Sequence, residues 1–434
     1  MSGRRANPPP PGGYIAETLS RSNIAIILFA LGVANAVRFS LAAFARWNLD
    51  DFSLHYTEAL ALRHGIDPYV TGLTPIARHL GLVLGVLTRA AETPFFLMIF
   101  EPLTMLSPYA AHAGWFALSV AALIAALALI FAEMPELSWA MRASLAGLAL
   151  LYLPLSRDFM FSQSQSIMLF MFALAMRYLK RERSGAAGVV LGIATLLRGY
   201  PIALLGYLAV AKRWRALAAA IATIAAGGIA TIAIAGIAPT LSFIAHDAGW
   251  LTQPAFVHQT LDISMTAFLT RLFYYWFTPE LSGARFIVYR LAEIVAELAA
   301  IAIAVRVTMK RGEEHGPDFR CYSLWIATAI LVSPVAWIHY MTLLILPFML
   351  IARAAISGRA SAGACWMAAI NWAGAALAIW LYNRYRLGAL PMWRIGAPFP
   401  LALMAEGSFF ALLAGYAAVY WFAADNAITG ADRG

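Results

Sequence analysis

Apolar stretches long enough to cross a bilayer recur along the whole chain, broken by short polar segments. A spanning helix needs about 20 mostly apolar residues, because hydrocarbon offers its backbone N–H and C=O groups no partner and the segment must bond them internally. Of the 434 residues, 62% are hydrophobic and 12% are charged, a balance that excludes an ordinary soluble fold. It predicts an all-α polytopic membrane protein with no room for a separate soluble domain. The formal net charge of +9 sits mostly in short Lys/Arg clusters between apolar runs. That placement reads as membrane topology and not as a face for nucleic acid, so no nucleic-acid partner is expected. Cys321 and Cys365 lack metal-site spacing and fall near the cytoplasmic side of the threading below, where disulfides are rare; none is expected.

The basic residues fix that threading. Arg4, Arg5 and Arg21 hold residues 1–22 inside as a disordered tail, and the first span runs from about Asn23 to Ala45. Residues 46–111 form a large first periplasmic loop. Its apolar piece, Pro94 to Leu106, is too short to span and reads as a juxtamembrane or re-entrant helix. Holding Arg177-Lys180-Arg181-Arg183, Lys212-Arg213-Arg215, Arg306-Lys310-Arg311 and Arg353-Arg359 inside gives twelve spans. They lie near 23–45, 112–132, 141–156, 163–179, 186–197, 200–211, 216–238, 286–305, 322–338, 340–353, 362–381 and 400–422. One transmembrane domain then covers 23–422, and 423–434 is a cytoplasmic tail. Polar and aromatic residues collect in the external pieces, chiefly 46–111, 157–163 and 239–285.

Several residues there can carry chemistry. Asp50 and Asp51 stand just past the outer end of the first span, and such a carboxylate is either a solvated helix-end acid or a general base. His339, between Trp337 and Tyr340, is either an aromatic-belt residue or a donor that holds a lipid phosphate. Arg198 sits at the outer turn of a hairpin too short for two full spans; it either snorkels to the interface or meets a phosphate bidentately. Arg157-Asp158 closes a loop as a neutral pair or offers a second acid, while Glu58 and Glu101 read as structural. The external histidines, His55, His64, His79, His246 and His258, show no His-Glu-x-x-His or other metal spacing, so no protein-bound metal and no cofactor are expected. There is also no Gly-x-x-x-x-Gly-Lys-Ser phosphate loop, which points away from a soluble nucleotide-sugar donor.

Four elements in order resemble glycosyltransferase family 87, polyprenyl-phosphate-mannose-dependent mannosyltransferases of the GT-C class. They are Asp51-Phe52-Ser53-Leu54-His55-Tyr56 with Gly65-Ile66-Asp67-Pro68-Tyr69; Ser162-Gln163-Ser164-Gln165; Arg198-Gly199-Tyr200-Pro201 followed by Lys212-Arg213-Trp214-Arg215; and Ser333-Pro334-Val335-Ala336-Trp337-Ile338-His339-Tyr340. Ser162 stands where the family has glycine, Arg198 where it has lysine, and Thr93-Pro94 where a Tyr-Pro-Pro element is common. The resemblance extends to the mannosyltransferases of mycobacterial phosphatidylinositol mannosides. It implies a GT-C fold and a multi-pass enzyme of the bacterial inner membrane with its site facing the periplasm. It implies Asp51 as the base, His339 and Arg198 on the donor phosphate, and Asp50, Tyr56, Arg157, Asp158, Gln163 and Trp337 as further site candidates. The implied reaction moves a hexose, mannose in the family, from a lipid-linked donor to a glycolipid or glycan acceptor. The reading from a different class is a transporter or flippase of lipid-linked sugars. The threading itself is tested by reporter fusions: reporters after Arg183 and Arg215 should be cytoplasmic and one near Pro254 periplasmic, and a periplasmic signal at Arg215 would overturn it.

Overall fold

The computed structural model describes residues 11–49, 51–85, 88–250, 261–277, 284–312, 319–385 and 406–425. The described chain is helical, as the apolar runs require, and no strand is present among the described residues; a single pair, Asp262 and Trp337, meets as an antiparallel bridge. The first helix, α1 (Pro11–Ala45), starts well upstream of the expected span, so the tail expected over 1–22 is helical from Pro11. No Gly or Pro follows Gly13 until Gly32, and extending a nucleated helix costs far less than starting one.

Between α1 and the next long helix lie α2 (Asp51–Arg63), α3 (Thr74–His79) and α4 (Pro94–Phe100), the last continued as a 3-10 turn, Glu101–Met105. The short juxtamembrane or re-entrant segment expected at 94–106 is therefore helical. Thr93 caps it, its hydroxyl accepting from the Phe96 N–H at 3.1 Å, and Pro94 costs nothing in the first turn, where N–H groups have no helical partner. Phe52, Tyr56, Tyr69, Phe96, Phe100 and Trp115 pack this segment into its own aromatic core.

The remaining chain runs α5 (Pro108–Ala132), α6 (Trp139–Leu151), α7 (Leu153–Met160), α8 (Gln165–Lys180), α9 (Ser184–Arg198), α10 (Ile202–Val210) and α11 (Trp214–Ala235). Then come α12 (Ile237–Trp250), α13 (Met265–Phe277), α14 (Ala284–Arg311), α15 (Arg320–Leu331), a 3-10 stretch Ile338–Leu344, α16 (Ile345–Ile356), α17 (Ala362–Tyr385) and α18 (Gly407–Ala424). Much of the 239–285 segment, expected as an external region, is thus helical.

Among the described residues, six helices are long and apolar enough to cross a membrane, or seven if α6 and α7, bent by 58° at Tyr152, form one broken span. The sequence threading counts twelve. The difference comes from helices such as α8 at 16 residues, α9 at 15 and α15 at 12, which at about 1.5 Å per residue fall short of a 30 Å core. In α14, Arg290, Glu293 and Glu297 interrupt the apolar length. The membrane-length helices expose large apolar side chains, among them Leu41, Ile124, Ile229 and Trp366, as lipid-facing surfaces do.

Small residues set the helix spacing. Gly32 of α1 meets Gly147 of α6 backbone to backbone: a Cβ built on Gly147 would lie 2.5 Å from the Leu28 carbonyl oxygen. Gly188 and Gly192 of α9 meet Ala216 and Ala220 of α11 in the same way, the close approach that membrane helices use in place of a hydrophobic driving force. Gly147→Ala must push α1 and α6 apart, an overpacking that costs about 1–3 kcal/mol. It should lower the thermal midpoint of the purified protein in detergent, whereas Gly185→Ala, which meets nothing within 4 Å, should not. Equal midpoints for the two variants would refute the close-packing account.

Candidate functional site

Five separated segments converge on one cavity of about 380 Å³. Asp51, Leu54 and His55 come from the first turns of α2; Ala91, Glu92 and Thr93 precede α4; Gln163 lies in the turn between α7 and α8; Arg198 to Tyr200 form the turn between α9 and α10; and Ser333 to Val335, Trp337, His339 and Tyr340 follow α15. The rest of the wall is largely apolar, with Ile202, Ala203, Phe243, Ala329 and Val332. The elements singled out along the sequence therefore meet in space at Asp51, Gln163, Arg198, Trp337 and His339.

The backbone breaks at the points where polar groups enter. Gly199, at φ +67°, ends α9 and turns the chain straight into α10. Ser162 holds φ +51°, a left-handed conformation that is costly for any residue but glycine. This is why glycine suits the position, and why Ser162 is held so firmly: its carbonyl accepts from the Trp115 indole N–H at 2.7 Å and its hydroxyl meets His112 Nε2 at 2.8 Å.

Arg198 organises the polar wall. Its Nε donates to Ser164 Oγ at 2.7 Å, its Nη2 to Gln163 Oε1 at 3.0 Å, and its Nη1 to both carboxylate oxygens of Glu92. The guanidinium carbon lies 5.3 Å from the centre of the Phe96 ring. The expectation that a buried guanidinium here needs an anion holds, but the protein supplies one. Gln163 Nε2 in turn donates to Asp51 Oδ2 at 2.6 Å. His55 Nδ1 is 3.4 Å from Glu92 Oε1. Burial, helped by the charges of Arg198 and His339, pushes the His55 imidazole well below its usual range, so it is neutral at pH 7. Burial lifts Glu58 well above the usual carboxylate range, and the Glu92 charge adds to the lift. Glu92 is raised by burial too, against the opposing pull of Arg198. The structural reading of Glu58 holds, with the carboxyl buried inside the fold and not in solvent. Its Oε1 accepts the Ala91 N–H at 2.8 Å.

Other candidates lie elsewhere. Tyr56 is five positions past Asp51, about 140° round the helix, and its hydroxyl donates to the Leu106 carbonyl at 2.8 Å inside the aromatic core. Arg157 donates to Asn383 Oδ1 at 2.9 Å. Asp158 is buried at the start of α8, where its two oxygens accept from the Gln165 and Ser166 N–H groups and the Ser166 hydroxyl at 2.6–3.0 Å. It caps a helix rather than facing the cavity. The Pro68-Tyr69 element is a brace: the Tyr69 hydroxyl donates to the Glu92 carbonyl at 2.7 Å, and Ala90 N–H to the Pro68 carbonyl at 2.9 Å. Thr93 Oγ1 donates to the Leu196 carbonyl at 2.6 Å, tying α4 to the end of α9. Asp50 and His258 lie outside the described residues. Among the described residues, no three His, Cys, Asp or Glu side chains group as metal ligands do.

Sequence reading missed Glu92, His55, Tyr340 and Asp262. For His55 the signal was present, since Asp51, Leu54, His55 and Glu58 fall at i, i+3, i+4 and i+7 on one helix face. Asp262 anchors the loop that carries His339: its Oδ1 accepts from the Ser264 N–H at 3.0 Å and the Ala336 N–H at 3.2 Å, while Ile263 N–H and Ile338 N–H bond Ala336 and Leu261 carbonyls at 2.6 and 2.9 Å. Burial lifts the Asp262 carboxyl to about 6 against those bonds.

A carboxylate, an amide, a guanidinium and an imidazole thus share the lining of one cavity in a multi-pass helical membrane protein. The family model described as glycosyltransferase family 87 matches residues 92–334. The chain belongs to that family and is a membrane glycosyltransferase. The match includes Glu92, Gln163 and Arg198, while Asp51, Trp337 and His339 lie outside it. No curated protein sequence matches the chain. Among solved structures, the chain is similar to ArnT from Cupriavidus metallidurans, crystallised with undecaprenyl phosphate, at 14% identity and a TM-score of 0.37 over 92% of this chain and 77% of that one.

Removing one member of a buried ion pair leaves its partner uncompensated, at a cost of about 3–5 kcal/mol. Glu92→Leu should therefore melt well below the parent, and the double variant Glu92→Leu with Arg198→Met should recover much of the loss. A double variant that melts lower than Glu92→Leu would show that Arg198 is stabilised by something other than Glu92.

Proposed function

We propose that the protein transfers a hexose, mannose, from a polyprenyl-phosphate donor to a lipid or glycan acceptor at the periplasmic face of the bacterial inner membrane. The observation that carries this reading is the convergence of Asp51, Gln163, Arg198 and His339 on one cavity whose remaining wall is mostly apolar. A lipid phosphate sugar has matching parts, an anionic head and an apolar tail.

In the proposed reaction the acceptor hydroxyl oxygen attacks the anomeric carbon, its proton passes to the Asp51 carboxylate, and the bond from that carbon to the phosphate oxygen breaks. The donor leaves as a polyprenyl phosphate monoester. One displacement inverts the anomeric configuration, so a β-linked donor gives an α-linked product, and no covalent enzyme intermediate forms. The charge that develops on the leaving phosphate needs donors held in place beforehand. His339 supports this role: it lines the cavity, and its buried Nε2 has no hydrogen-bond partner among the described residues, which fits a group whose partner is the substrate. Arg198 gives four N–H groups to protein acceptors and brings its charge and its remaining Nη2–H to the same anion.

The test is transfer of label from radiolabelled polyprenyl-phosphate mannose to a lipid extract by purified protein. Asp51→Asn keeps the shape of the side chain and removes its proton acceptance, so turnover should fall by about 10²–10⁴-fold while donor binding persists. His339→Ala should instead weaken donor binding. Full turnover in Asp51→Asn would remove Asp51 as the base. Absence of any labelled product from the parent, with lipid-linked sugar carried across a vesicle membrane, would replace transfer by flipping.

A further inference from the structure

Gln163 stands between a cation and a carboxylate, and the chemistry of those two groups fixes which way its amide faces. Arg198 has no acceptor, so it can only meet the amide oxygen, and an ionised carboxylate has no donor, so Asp51 can only meet the amide nitrogen. The contacts agree: Arg198 Nη2 donates to Gln163 Oε1 at 3.0 Å, and Gln163 Nε2 donates to Asp51 Oδ2 at 2.6 Å. Both ends of the bridge are held. Arg198 is locked by Glu92, Ser164 and the Phe96 ring. The backbone of Gln163 is locked by its own N–H on the Asp158 carbonyl at 2.9 Å and by the left-handed turn at Ser162.

We infer that Gln163 is a positioning residue for Asp51, the last link of a chain Glu92–Arg198–Gln163 that carries the rigidity of the buried ion pair to the base. The inference rests on the reading of Asp51 as the base. The hydrogen bond fixes the plane of the carboxylate and favours its ionised form, the state from which it takes the proton of the acceptor hydroxyl. Misplacing a reacting group by about 1 Å is enough to cost about 10²-fold in rate. The length of the side chain matters as well: asparagine, one methylene shorter, cannot span both contacts.

The experiment compares Gln163→Leu, Gln163→Asn, Gln163→Glu and Asp51→Asn in full-length protein, each checked for monodisperse elution. It measures kcat and donor KM with polyprenyl-phosphate mannose across a range of pH. Gln163→Leu and Gln163→Asn should lower kcat by about 10²-fold and leave donor KM unchanged. Gln163→Glu sets two carboxylates at hydrogen-bond distance; the Arg198 contact keeps the new one ionised at neutral pH, where it repels Asp51, and it takes up a proton as pH falls. Its kcat should be low at neutral pH and partly recover as pH falls, because the protonated side chain again donates to Asp51; the leucine variant should show no such recovery. The other titratable groups around the cavity, His55, Glu92, Arg198, Tyr200, His339 and Tyr340, are common to all variants and cancel in the comparison. Parent-like kcat in Gln163→Leu alongside an inactive Asp51→Asn would overturn the inference and leave the base in place. A rise in donor KM that accounts for the loss would place Gln163 in donor binding and overturn it too. Full activity of Asp51→Asn would remove the base, and the positioning role with it.

Discussion

The polar architecture of this protein hangs on one buried ion pair. Arg198 ends a helix deep in the fold, where a lone guanidinium would be strongly disfavoured, and Glu92 neutralises it from a segment 106 positions away in sequence. Neither partner is free to relax. Tyr69 bonds the Glu92 backbone, while Ser164, Gln163 and the Phe96 ring hold the guanidinium. The pair therefore ties the segment between α1 and α5 to two interhelical turns, and the cavity is the space between these pieces and the stretch Ser333 to Tyr340. Burial and the neighbouring Glu92 charge lift the Glu58 carboxyl, which disfavours a second negative charge beside the pair.

Non-helical backbone is tolerated at membrane depth only where protein surrounds it, and three of the breaks between helices lie against the cavity. Gly199 turns α9 into α10 and presents Arg198; the Ser162 turn presents Gln163; the stretch after Leu331 presents Trp337 and His339, held by Asp262. Glycine and alanine contacts between α1 and α6 and between α9 and α11 draw the surrounding helices close enough to bury these turns. The same economy explains Asp158. At the N-terminus of α8 its carboxylate accepts two backbone N–H groups and the Ser166 hydroxyl, which makes it a helix cap.

Much of this was legible in the chain itself. Hydropathy determined an all-helical membrane protein, because backbone polar groups in lipid must be satisfied within each segment. The ordered motifs pointed to the family and to five members of the cavity, Asp51, Gln163, Arg198, Trp337 and His339, and the spacing of Asp51, His55 and Glu58 puts them on one face of α2. Tertiary structure decided the rest. Which anion meets Arg198 and whether Tyr56 faces the cavity or the aromatic core depend on contacts 106 and 50 positions apart in sequence. Local sequence carries the type of a charged group and the face it occupies; the partner that neutralises it is set by packing, since burial makes the cost of an unpaired charge depend on what lies beside it in space.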